Sequence, residues 1–162
     1  MILERLKQNH AIAREYGVHG RIKLNLSDKD VYIYTLESPW DYNNDSPNGI
    51  TGLSCIKEGS YTISIEKSPV NGKRYPFIFN ESLGVCLRAK VKSTDRTGHC
   101  FLPVAADGID KIYGRFILIG ASTKFDSRGF YEPIDGFEAL GYLLKYIEES
   151  GDNTLKITWI KP

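Results

Sequence analysis

The chain has 162 residues, a length that suits one domain spanning residues 1–162. Apolar residues at 41% are enough for a folded core, and an aromatic content of 12%, with ten tyrosines, favours a β-rich fold. A formal charge of only +1 gives no clear signal for nucleic acid or for an anionic membrane surface.

The sequence contains no apolar run near the roughly 18–20 residues that span a bilayer, and its start lacks the pattern of a signal peptide. We therefore expect a soluble protein of the cytoplasm without a membrane partner. Cys55, Cys86 and Cys100 form no C-x-x-C pair, so reduced and mostly buried thiols are expected rather than disulfides. No Cys and His spacing is typical of zinc ligands, and we expect neither a metal nor a cofactor.

The first third of the chain predicts strands. Residues 1–16 fit either an amphipathic helix or an edge strand, and Gly17 and Gly20 interrupt the pattern. Residues 21–26 alternate polar and apolar side chains, so residues 21–36 read as a hairpin with a turn at 27–30. Pro39 should end the second strand at residues 36–38.

The clearest alternation follows a long polar loop. Gly59 suits a turn with positive φ, after which Tyr61, Ile63 and Ile65 are expected to point into the core. Further on, residues 75–79 predict an edge strand or a strand end because of Pro76, and residues 85–91 predict another strand. Residues 116–119 predict a buried strand, and residues 123–131 a loop.

One helix is predicted near the C-terminus. It should begin at residues 133–135 and end at Gly151, and a last strand should follow over residues 155–160. The helix is expected to face the core through Phe137, Leu140, Leu143, Leu144 and Ile147. The predicted fold is therefore mainly β (α+β): a compact, mostly antiparallel β-barrel or sandwich with one C-terminal helix.

Several short motifs resemble those of the domain of unknown function 5675 family, a group of small β-rich proteins frequent in phages and in bacteria that carry phage-derived genes. The matching residues are Thr35–Leu36–Glu37, Pro39–Trp40, Asn43–Asn44, Cys55–Ile56, Gly59, Tyr61 and Ser68–Pro69. The second half of the family pattern fits either residues 85–104 or residues 114–133. The family histidine is absent from both, and Arg88 or Gly120 takes its place.

Cys100, His99 and Asp95 are the candidate catalytic residues. The pair His99–Cys100 resembles the cysteine signature of L,D-transpeptidases, although the order here is Gly-His-Cys and not His-Gly-Cys. Neighbours on a strand point to opposite faces, so His99 is poorly placed to activate Cys100. A buried structural Cys100 is the simpler interpretation.

Candidate binding residues fall into two groups. Arg88, Lys90 and Lys92 share one face of a predicted strand, and with Arg96 they form a basic strip that is either an anion site or a solvated face. Glu37, Trp40 and Asn43 belong to the motif-bearing loop, where Glu37 and Asp41 form a carboxylate pair or cap loop N–H groups.

Two functions remain open from the sequence. The first is a non-enzymatic phage or prophage accessory protein, a binding or virion-associated module whose partner is a protein or the cell wall. It would act in the host cytoplasm or in the virion. The alternative is a cysteine-dependent enzyme acting on cell-wall peptides through Cys100. The sequence does not indicate the oligomeric state.

Overall fold

A computed structural model describes residues 1–7, 16–40, 53–68, 71–87, 96–105, 116–125 and 131–160. The N-terminal strands are β1 (Ile2–Leu6), β2 (Val18–Asn25), β3 (Asp30–Glu37), β4 (Gly59–Lys67), β5 (Arg74–Phe79) and β6 (Val85–Cys86). A short 3-10 helix spans Glu81–Leu83, between β5 and β6. The later elements are β7 (Arg96–Thr97), β8 (Cys100–Pro103), β9 (Phe116–Gly120), β10 (Ser122–Phe125), β11 (Tyr131–Ile134), helix α1 (Gly136–Ser150) and β12 (Thr154–Ile160).

Eight strands form a closed barrel in the order β1-β12-β4-β5-β8-β9-β3-β2. The pairs β1–β12 and β8–β9 are parallel, and the other strand pairs of the barrel are antiparallel. Closure leaves the barrel without an exposed edge strand. The predicted mostly antiparallel β-barrel with a C-terminal helix is confirmed, and the sandwich alternative is not the structure.

Of residues 1–16, for which a helix or an edge strand was predicted, Ile2–Leu6 form a barrel strand with a partner on each side, and residues 8–15 lie outside the described residues. Leu3 on β1 pairs with Ile157 of β12 on one side and with Ile22 of β2 on the other. Leu3 is fully buried, and Arg5, two residues further on the same face, is fully buried as well. Strand β1 therefore completes the barrel between β12 and β2, with the side chain of Leu3 in the core.

The predicted hairpin at residues 21–36 is confirmed and is longer than expected. Strands β2 and β3 pair from Val18–Glu37 to Asn25–Asp30, and the turn is closed by the Leu26 N–H donating to the Lys29 carbonyl at 2.9 Å. The register therefore puts the 26–29 turn at one end of the barrel and Glu37 at the opposite end.

Strand β4 has the predicted alternation over most of its length. Gly59 has φ +147°, and the side chains of Tyr61 and Ile63 are buried in the core. Ile65 is only half-buried, because it lies near the end of the strand, where it pairs with Pro76.

Two sequence predictions need correction. Strand β5 is not an edge strand: it lies between β4 and β8, and it pairs with β8 at Phe77–Cys100, one residue away from Pro76. Of the loop predicted at residues 123–131, residues 123–125 and 131 lie in the antiparallel strands β10 and β11, and residues 126–130 lie outside the described residues. Of the strand predicted at residues 85–91, residues 85–87 are described, and Val85–Cys86 form β6, which pairs with β7.

Helix α1 lies across the barrel end that carries the 26–29 turn. Lys145 contacts Asp28 at 2.8 Å, and the hydroxyl of Ser27 donates to Glu149 at 3.1 Å. The helix ends as predicted at Gly151, whose φ is 65° and whose N–H donates to the carbonyl of Ile147 at 3.0 Å.

The buried face of α1 is rotated from the predicted one. It consists of Gly136, Ala139, Leu140 and Leu143, while Leu144 and Ile147 are partly buried. Phe137 is 57% exposed, with the ammonium of Lys73 4.7 Å from its ring centre. The helix has this orientation because its start packs closely against the backbone at Val104. A Cβ on Gly136 would lie 2.2 Å from the backbone nitrogen of Val104. That approach turns Phe137 outwards.

Ile63 provides a test of the barrel register. Truncation of Ile63, which is 3% exposed, to alanine should lower the free energy of unfolding by about 2–5 kcal/mol, because it leaves a cavity in the core. The measurement is urea denaturation, with Ile2→Ala as the matched control, since Ile2 is 49% exposed and loses the same atoms. Equal losses in both variants would contradict the register.

Candidate functional site

A buried ion pair lies at the barrel end opposite α1. Arg5 donates from Nε to one Glu37 oxygen at 2.8 Å and from Nη2 to the other at 2.6 Å. Both side chains are fully buried. Burial opposes the charge on Arg5, but the Glu37 carboxylate outweighs that effect and holds the pKa of the guanidinium above its usual value. The pair is therefore a charged, bidentate contact inside the barrel.

This ion pair and a second buried arginine hold the segment formed by residues 54–57, called the end segment below. The end segment is outside the strands, and a buried backbone needs hydrogen-bond partners. Arg96 donates from Nη1 to the Cys55 carbonyl at 2.6 Å and from Nη2 to the Ser54 carbonyl. Arg5 donates from Nη1 to the Ile56 carbonyl at 2.7 Å.

The last carbonyl of the end segment, that of Lys57, accepts from the hydroxyl of Tyr61 at 2.8 Å. All four carbonyls of the segment thus accept hydrogen bonds from side chains anchored on β1, β4 and β7. The side chains of Cys55 and Ile56 are buried beneath, and Ile56 belongs to the barrel core. The end segment therefore closes this end of the barrel.

A cleft of about 570 Å³ opens over the end segment. It is lined by Arg5, Trp40, Ile56, Lys57, Glu58 and Trp159. The chain contains two tryptophans, and both line this cleft. Arg5 connects the cleft to the ion pair, because its guanidinium carbon lies 5.5 Å from the ring centre of Trp159. We call this feature the tryptophan cleft.

Two of the predicted binding residues lie at this site. Trp40 lines the tryptophan cleft, and Glu37 lies below it as the carboxylate that holds Arg5. Within the described residues the Glu37 carboxylate binds the buried guanidinium of Arg5, a partner that was not predicted for it. Asp41 and Asn43 lie outside the described residues.

The structure describes one of the four residues of the predicted basic strip. Arg96 is 2% exposed and its charge is buried against the end segment, where burial lowers the pKa of its guanidinium from the usual value. Arg96 therefore belongs neither to a solvated face nor to a surface anion site. Arg88, Lys90 and Lys92 lie outside the described residues, as does the catalytic candidate Asp95.

Cys100 and His99 lie in the barrel wall, close to the same end. The thiol of Cys100 is 4% exposed, and burial raises its pKa to about 12. His99 is 1% exposed, and its Nε2 has no hydrogen-bond partner among the described residues. Burial, together with the charges of Arg96 and Arg5, holds the pKa of His99 well below its usual value. This geometry supports a structural Cys100, because a nucleophilic cysteine needs a stabilised thiolate.

Arg5, Lys57 and Trp159 were not identified from the sequence, and Arg96 was assigned to the basic strip and not to the end segment. The burial of Arg5 could have been inferred from the sequence, because Arg5 lies two residues from Leu3 and so shares its face of the strand. Trp159 lies on a strand that was predicted, but no local pattern brings it next to Trp40.

Comparison of the chain with protein-family models, with curated proteins and with solved structures finds no match. The resemblance to the domain of unknown function 5675 family therefore stays a prediction. Across the described ranges no helix is long and apolar enough to cross a membrane. Those ranges also contain no group of three or more His, Cys, Asp or Glu residues that could hold a metal ion.

Neutralising one partner of the Arg5–Glu37 pair should strongly destabilise the fold. Glu37→Gln should lower the free energy of unfolding by about 3–5 kcal/mol, because it leaves the buried Arg5 charge without its carboxylate. Glu4→Gln, on the strand that carries Arg5, is the matched control, since Glu4 pairs with Arg21 in a surface ion pair at 3.0 Å. Denaturation curves that show the same small loss for both variants would contradict a buried ion pair.

Burial of Cys100 predicts a protected thiol. At neutral pH iodoacetamide should alkylate Cys100 slowly in the native protein and rapidly in urea, because its pKa of about 12 leaves little thiolate. Mass spectrometry of the digested protein separates Cys100 from Cys55 and Cys86, which are also buried. Fast and selective modification of native Cys100 would instead indicate a nucleophile.

The buried His99 predicts a pH dependence of stability. Since its folded pKa lies below the unfolded value of about 6.5, the unfolded state binds a proton that the folded state does not. Stability should therefore fall as the pH drops from about 6.5 towards the folded pKa, and be insensitive to His99 above about pH 7.

Urea denaturation across this range measures the slope, which His99→Gln should reduce. His19→Gln is the comparison variant and should reduce the slope less. Burial also lowers the pKa of His19, but the hydrogen bond between its ring nitrogen and the carbonyl of Tyr131, at 2.9 Å, acts in the opposite direction. An unchanged slope in His99→Gln would show that the fold does not lower the pKa of His99.

Proposed function

We propose that this protein is a non-enzymatic binding module of the phage or prophage accessory kind that the sequence resemblance implies, and that it binds its partner at the tryptophan cleft. The observation that carries this proposal is the placement of both tryptophans of the chain, Trp40 and Trp159, in one cleft. Tryptophan is among the residues that contribute most to binding energy, since its ring offers a large apolar face and a polar N–H.

The floor of the cleft is built for a fixed shape. Arg5 donates three hydrogen bonds, two to Glu37 and one to the Ile56 carbonyl, and so ties β1, β3 and the end segment together. A site whose parts are held before the ligand arrives loses less conformational entropy on binding. The Arg5–Glu37 pair thus supports a binding role for the cleft.

The size of the cleft favours a cell-wall polymer over a globular host protein. A volume of about 570 Å³ lies within the ~300–1,000 Å³ typical of pockets for small ligands. A stable protein interface needs about 1,200 Å² or more of buried surface, which a cleft of this kind does not supply alone. A polymer chain presents one small unit at a time. A virion-associated location suits this partner.

The alternative, a cysteine-dependent enzyme, has less support. Cys100 is buried, burial raises the pKa of its thiol to about 12, and it is not among the residues that line the cleft. Such a cysteine lacks the thiolate that attack on a cell-wall peptide requires.

The test is co-sedimentation of the protein with purified peptidoglycan sacculi. Wild type should sediment with them, and Trp40→Ala should weaken binding by at least about tenfold, as expected for a central aromatic residue. Phe125→Ala is the matched control, because Phe125 is 73% exposed and lies outside the cleft. Circular dichroism confirms that both variants are folded. Absence of wild-type sedimentation, or equal loss in both variants, would contradict the proposal.

A further inference from the structure

We infer that the tryptophan cleft recognises an uncharged saccharide, so that the glycan of the cell wall, and not its peptide, is the bound part. This inference rests on the proposed function and adds the ligand class. It follows from the charges that line the cleft, from the hydrogen-bonding state of Arg5, and from the two indole rings.

Among the described residues that line the cleft, taken with Glu37 beneath them, the charges cancel. Arg5 is neutralised by Glu37, with which it shares two hydrogen bonds, and Lys57 is followed directly by Glu58 of opposite sign. A cleft without net charge gives no electrostatic advantage to a strongly charged ligand. An uncharged ligand avoids the cost of removing an ion from water.

Arg5 is not available to an anionic ligand. Its Nε, Nη1 and Nη2 each donate to a protein acceptor, two to Glu37 and one to the Ile56 carbonyl. Arginine binds carboxylates and phosphates through two parallel N–H groups, and here that pair already holds Glu37. Among the described lining residues, the free carboxylate of a peptide end or a phosphate therefore finds no guanidinium fork.

A cationic ligand is disfavoured too. Aromatic cages bind quaternary ammonium groups through the negative faces of their rings. Here the Arg5 guanidinium already lies 5.5 Å from the centre of the Trp159 ring, so this ring is already paired with a cation and is less available to an ammonium ligand.

A saccharide fits a cleft that favours neither an anionic nor a cationic ligand. The C–H groups on one face of a sugar ring are weakly positive and apolar, and they pack on the negative face of an indole. Sugar hydroxyls both donate and accept hydrogen bonds, so they can pair with the ammonium of Lys57 as donor and with the carboxylate of Glu58 as acceptor. Two indoles with one donor and one acceptor side chain fit an uncharged ring with hydroxyl groups.

Intrinsic fluorescence tests the ligand class directly, because both tryptophans of the chain line the cleft. The probes are the trisaccharide of N-acetylglucosamine, an isolated cell-wall stem peptide and phosphocholine. The trisaccharide should change the emission in a saturable way, and the peptide and phosphocholine should not.

Three variants define the site. Trp40→Ala should weaken trisaccharide binding by at least about tenfold, and Glu58→Gln and Lys57→Met by several-fold each. Phe125→Ala should bind as wild type does. Saturable binding of the stem peptide or of phosphocholine in place of the trisaccharide would overturn the inference.

The two proposals can fail separately. If sacculi sediment the protein in a Trp40-dependent way but the trisaccharide neither binds nor competes, the ligand class is wrong and the binding function stands. If the trisaccharide binds but sacculi do not sediment the protein, the ligand class stands and the cell-wall partner is wrong. If neither binds, both proposals are wrong.

Discussion

The bidentate contact between Arg5 and Glu37 is the interaction on which this end of the barrel depends. It joins β1 to the end of β3, and the third bond from Arg5 holds the end segment at Ile56. The removal of two charges from water costs several kcal/mol per ion, so such a pair persists where its geometry satisfies both partners. Here each Glu37 oxygen accepts a hydrogen bond from Arg5, and the remaining nitrogen of the guanidinium anchors the cleft floor.

The two ends of the barrel are closed in different ways. At one end α1 covers the core through Ala139, Leu140 and Leu143, which are apolar and need no polar partner. At the other end a short irregular segment closes the barrel, and buried arginines replace the missing strand partners of its carbonyls. Irregular backbone over a rigid sheet is a common place for binding sites. The tryptophan cleft lies at this second end.

Local structure could be predicted from the sequence because its causes are local. The β2–β3 hairpin, the inward-facing Tyr61 and Ile63, and the helix end at Gly151 follow from alternation and turn chemistry. The pairing of β1 with β12 could not be predicted, since it joins the two ends of the chain. For the same reason Trp40 could be proposed as a binding residue, but not its meeting with Trp159. The rotation of α1 depends on a backbone approach at Gly136 that the spacing of apolar residues does not reveal.

Hydrogen exchange in a charge-free variant tests most directly whether the ion pair holds the cleft floor. Arg5→Met combined with Glu37→Leu removes both charges, so the barrel should stay folded. The Ile56 carbonyl loses its donor, and the Cys55 N–H, which donates to the Pro39 carbonyl at 3.3 Å, should then exchange faster. We predict faster exchange in a peptide covering residues 53–58 and unchanged exchange in the β2–β3 hairpin. Unchanged exchange in both would contradict the account, because the end segment would then be held without the Arg5–Glu37 pair.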